Sequence, residues 1–87
     1  MSAYRTVGLR PTVVEITDSA VVIRRPKLMG QDTTSIPLDR VLSVDVRTGP
    51  LFWRAQVVLH AGDDVVVEGL RNRDAAAIRA DIERALA

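Results

Sequence analysis

Few of the side chains able to do chemistry stand where chemistry would need them. The chain carries one histidine, His60, no cysteine, and no serine in a nucleophile motif. Without cysteine there is no thiolate nucleophile and no disulfide framework. Asp63 and Asp64 are adjacent in a glycine-containing turn, where like charges stay solvated. A cation there would need further oxygen ligands at defined spacing. His60 falls beside that turn on the polar face of its strand, the position of a satisfied or exposed histidine rather than of a ligand or base. No glycine-rich phosphate loop is present. The expectation is therefore a protein that is not an enzyme, with no catalytic residue, no metal site and no cofactor.

What remains is binding chemistry. Arg24, Arg25 and Lys27 cluster at the end of a strand and in the loop after it. They read either as a solvated strand end or as a contact for acidic headgroups. Arg71 and Arg73 add charge further on, but no aromatic platform accompanies them, so nucleic acid is not expected as a partner. Leu51-Phe52-Trp53 holds the only pair of aromatics. By parity Trp53 continues the inward set of Ala55, Val57 and Leu59, and Phe52 faces the other way. Val13, Val22, Val41, Val58 and Val66 also fall opposite the inward residues of their strands. Either valine simply fits strands on any face, or a second copy of the chain covers them together with Phe52.

Length and composition bound these readings. Eighty-seven residues make one small domain, 1–87, whose thin core would gain from self-association. An apolar fraction of 47% argues against disorder. Twelve basic and eleven acidic residues leave a net charge of +1, too even for a strong overall pull towards nucleic acid or anionic lipid. No apolar run approaches the ~20 residues of a membrane-spanning helix. The start, MSAYRTVGLRPT, lacks the apolar stretch of a signal peptide, which suggests the cytoplasm.

The elements that position these residues follow from periodicity. The stretch Thr33–Leu70 reads as alternating strands. Leu42, Val44 and Val46 share one face; after Gly49-Pro50, Ala55, Val57 and Leu59 resume it. The run Ala61-Gly62-Asp63-Asp64 predicts a hairpin loop, with Gly62 taking positive φ. Before that stretch, residues 1–11 form an N-terminal arm or an edge strand over Tyr4–Leu9. Thr12–Thr17 and Ala20–Arg25 are strands around an Asp18-Ser19 turn, and 26–34 is a loop around Gly30. Ser35, Ile36 and Leu38 make a short strand, followed by a long one from Arg40 to Arg47. In the tail the period changes. Asn72 suits an N-cap, and Ala75, Ile78, Ile82 and Leu86 or Ala85 form one stripe of a helix within 72–87 that must lie on the sheet.

The succession of AVVIRRP (20–26), a glycine-containing loop, TTSIPLDRVLSVDVR (33–47), a long strand pair and a terminal helix resembles the pleckstrin-homology (PH)-like domains of bacteria. The run from Ile36 to Val44 carries the resemblance most clearly. One departure is Trp53, which stands between strands, where eukaryotic PH domains usually keep a tryptophan in the closing helix. The resemblance implies a mainly β fold. It would be a strongly bent antiparallel sheet or partial barrel of six to seven strands, closed by one C-terminal helix. It also implies that Arg24, Arg25 and Lys27 lie near the open end, where lipid-binding members hold phosphoinositides. The leading expectation is a non-catalytic binding or scaffolding module that self-associates. An anionic-lipid or phosphoinositide binder and a subunit of a ring or virion assembly are the alternatives.

Overall fold

The computed structural model describes residues 2–50 and 54–87. Strands β1 (Ser2–Arg5), β2 (Val13–Ile16), β3 (Ala20–Pro26) and β4 (Gln31–Pro37) pair antiparallel in chain order as one sheet. A single turn of 3-10 helix, Leu38–Arg40, leads into the second antiparallel sheet. That sheet comprises β5 (Ser43–Arg47), β6 (Ala55–Ala61) and β7 (Asp63–Leu70), and helix α1 (Asn72–Leu86) closes the fold. The inner faces of both sheets and one stripe of α1 enclose a single apolar core, from Val14 and Ile23 through Val57 and Leu59 to Ile78 and Ile82. The backbone N–H of Val7 donates to the carbonyl of Gly69 at 2.8 Å, which draws the ends of β1 and β7 together. β4 and β5 remain unpaired with one another, so the result is a partial barrel.

The hairpin between β6 and β7 forms where the turn residues stand. Gly62 has φ +89°, and Ala61 faces Asp63 across it. Positive φ costs a side-chain-bearing residue steric strain that glycine escapes. Around Asp18-Ser19, the Thr17 hydroxyl accepts from the Ala20 N–H at 3.0 Å and fixes the β2–β3 turn.

Five placements differ from the sequence expectation. The first strand is Ser2–Arg5 rather than Tyr4–Leu9, because Thr6 turns the chain by pairing with Thr12. The loop after Pro26 shrinks to 27–30, and the polar run Gln31–Thr34 belongs to β4. A ladder needs only backbone partners, and Gln31 through Thr34 find theirs in Pro26 through Ile23. At the corner, the 3-10 turn slips the phase by one residue. Three residues per turn bring Leu38 and Val41 to the same side, so both enter the core. Leu42, expected inside, is then 80% exposed. Finally, Ala75 donates to the carbonyl of Arg71 at 3.0 Å, which makes Arg71 the N-cap residue and Asn72 the first helical one. The helical stripe ends at Ile82, with Ala85 and Leu86 exposed.

Candidate functional site

Among the described residues the three most exposed large apolar side chains lie on two neighbouring turns of the first sheet. The β3–β4 turn is Lys27-Leu28-Met29-Gly30, closed by the Lys27 N–H donating to the Gly30 carbonyl at 3.1 Å, with Gly30 at φ +85°. The β1–β2 connection is closed by paired bonds between Thr6 and Thr12. The Arg10 guanidinium of that connection donates to the Lys27 carbonyl, so the two turns sit against each other. Leu9 is 102%, Leu28 90% and Met29 87% exposed. Nothing in local geometry requires apolar residues at these apices; from sequence Leu28 and Met29 fall in a loop and Leu9 in an N-terminal arm or edge strand. The signal was there to find: Leu-Met inside a basic turn next to a glycine.

The basic residues singled out from sequence do lie at this end, but they do not converge. Arg24 and Arg25 are successive on β3 and therefore point to opposite faces. Arg24 pairs with Glu15 of β2 on the outer face. Arg25 reaches across to β7 and donates to the Val66 carbonyl at 2.7 Å. Lys27 pairs with Asp32 across the hairpin at 2.7 Å.

The outer valines are dispersed. Val41 is 7% exposed and packs in the core, so it leaves the set proposed for an interface; the 3-10 turn rotated it inwards. Val58 does face outwards, but it too is 7% exposed. It lies on the central strand, flanked by Asp45 on one side and Val66 on the other. Val66, on the edge strand, stays partly open. Val13 and Val22 are half-buried between polar neighbours, Val13 beside Arg5 and Arg24, Val22 beside Glu15 and Ser35. Phe52 and Trp53 lie outside the described residues.

His60 is held from both sides on the outer face of the second sheet. Its Nε2 lies 2.8 Å from Asp45 and its Nδ1 2.9 Å from Asp64. The hydrogen bond to Asp45, then that to Asp64, raises its pKa above 6.5. With both nitrogens occupied, the imidazole has no free position for a substrate proton. Among the described residues no group of three His, Cys, Asp or Glu side chains could hold a metal ion. At the opposite end of the fold, the Tyr4 hydroxyl donates to Asp81 and ties β1 to α1. This bond, set against partial burial, holds the Asp81 carboxyl below its usual range. Among the described residues no helix is long and apolar enough to cross a membrane.

No curated protein and no solved structure matches the chain. A family model described as "Bacterial PH domain" matches residues 2–86. That span runs from the first strand to the last helical turn, over two bent sheets with their loops open at one end and a helix closing the core. The chain thus belongs to the bacterial PH domain family.

Proposed function

We propose that this protein is a non-catalytic recognition module that docks its paired turns, 6–12 and 27–30, onto an anionic membrane surface. PH-like domains in general mediate protein or lipid contacts without catalysis, and the observation that carries the reading is the exposure of Leu9, Leu28 and Met29 together at one end. Three such side chains on adjoining turns are an interaction surface rather than scattered exposure. Full burial of each contributes about 1.5–3 kcal/mol. The charges around the turns are Arg5, Arg10, Arg24, Arg25 and Lys27 against Glu15 and Asp32, five positive minus two negative, or a net +3. Near an acidic leaflet each basic residue adds about 1 kcal/mol. Insertion is the larger contribution and charge the smaller one. A cytoplasmic module meeting the inner leaflet fits this chemistry.

The test is sedimentation with phosphatidylglycerol-containing vesicles. The unmodified protein pellets, and Leu28→Asp with Met29→Asp remains in the supernatant. Failure of the unmodified protein to pellet at millimolar lipid sinks the reading.

A second reading is self-association through the outer sheet faces, as a dimer or as the repeating unit of a larger assembly. With Val41 in the core, its surface comprises Phe52, Val13, Val22 and Val66 beside Val58, and the open Val66 on the β7 edge is what favours it. Sedimentation velocity at high micromolar concentration separates a monomer from an oligomer.

A further inference from the structure

Resting on the membrane reading above, we infer that the docking end grips the bilayer by inserting its apices and reads no particular headgroup. The ligand class is then any fluid anionic bilayer, not a single phosphoinositide. Three observations carry this.

First, four of the five cations around the turns have a partner within the protein: Arg24 on Glu15, Lys27 on Asp32, Arg10 on the Lys27 carbonyl and Arg25 on the Val66 carbonyl. A phosphate-reading site needs several donors converging on one point. Here Arg24 and Arg25 diverge by strand parity.

Second, the apolar residues occupy the apices and the charges stand behind them. From the Leu28-Met29 apex, the ladder descends through the rung Pro26–Gln31 to Arg25–Asp32. At roughly 3.3 Å per strand residue, the apex clears the Arg25 rung by about 7–10 Å. That matches the roughly 5–10 Å to which interfacial apolar groups sink below the headgroups. A tip-first approach therefore leaves the Arg25–Asp32 rung, with the Lys27 ammonium paired to Asp32, at headgroup level.

Third, the apices carry flexible aliphatic and thioether side chains on convex turns. Protein interfaces centre instead on rigid Trp, Tyr and Arg anchors. A deformable hydrocarbon layer suits Leu9, Leu28 and Met29 better than a preformed protein pocket.

The experiment uses the full chain and vesicles of phosphatidylcholine mixed with either phosphatidylglycerol or a phosphatidylinositol phosphate, matched in surface charge. Soluble inositol hexakisphosphate serves as competitor. Expected are affinities for the two vesicles within about twofold, and no displacement by the competitor. Leu28→Asp with Met29→Asp, and separately Leu9→Asp on the other turn, each lower binding to both vesicles about tenfold or more. Arg24→Ala with Lys27→Ala lowers it only about twofold to threefold. The substituted side chains are exposed, and unchanged far-ultraviolet circular dichroism checks the fold of each variant. A preference above about tenfold for the phosphoinositide vesicle, or release by the soluble phosphate, overturns this inference and leaves membrane docking standing. Absence of binding to either vesicle overturns both.

Discussion

Replacing Ile82 by alanine tests the closure of the sheets by α1. Ile82 is fully buried on the helix face that meets both sheets and the corner turn. The change deletes three carbons, worth about 2.4 kcal/mol at 0.8 kcal/mol for each buried methylene. The unfilled space adds to this, and measured costs for Ile→Ala span about 2–5 kcal/mol. Alanine's better helix propensity returns less than about 0.7 kcal/mol. A net loss near 3 kcal/mol is expected, a large share of the roughly 5–15 kcal/mol that stabilises a folded domain. In a domain of this size it lowers Tm by about 12–24 °C. Urea and thermal unfolding followed by circular dichroism measure it, with the urea slope unchanged so that the midpoint shift reports stability. Leu86→Ala, one turn further on at an exposed position, is the control and stays within about 0.5 kcal/mol. Ile82→Asp, which buries a charge without a partner, leaves no folded protein. If Ile82→Ala costs under about 1 kcal/mol, or no more than Leu86→Ala, α1 does not close the core as described.

Two further outcomes follow from other parts of the fold. His60 is raised above 6.5 first by its hydrogen bond to Asp45 and then by that to Asp64. Its stabilising contribution is therefore fully present below 6.5 and lost as pH rises through the folded value. Proton NMR titration of the imidazole reads this directly, and Asp45→Asn moves the folded value back down; an unmoved titration refutes the bridging role. At Gly62 a side chain meets open space but keeps φ +89°. Gly62→Ala should cost about 1–2 kcal/mol through backbone strain alone, measured by chemical unfolding, and a neutral result means that the turn relaxes to another type.

Much of the β architecture was legible because alternation is a local property. Val57 and Leu59 face in whatever their partners are, since successive strand side chains must point to opposite faces. The Gly62 hairpin and the helix over 72–86 are likewise local: one needs a residue that tolerates positive φ, the other a three- and four-residue apolar spacing. Phase was less secure. One turn of 3-10 helix between β4 and β5 exchanged the roles of Val41 and Leu42, and no alternation count reveals a turn whose period is three. The strand Gln31–Thr34 was hidden for a related reason, because its partners supply backbone hydrogen bonds and its side chains carry no apolar pattern.

The candidate site divides in the same way. By itself the sequence determined that Arg24, Arg25 and Lys27 cluster near one end of a strand, and that Leu28 and Met29 are apolar. Only the tertiary structure decided what those side chains do. It brought Arg10 against Lys27, put the turns that carry Leu9 and Leu28-Met29 at one end of the sheet, and gave each of the three clustered cations a partner from another element or across the hairpin. Backbone periodicity acts over three or four residues, whereas an apolar tip and an ion pair depend on which distant segments the folded core brings together.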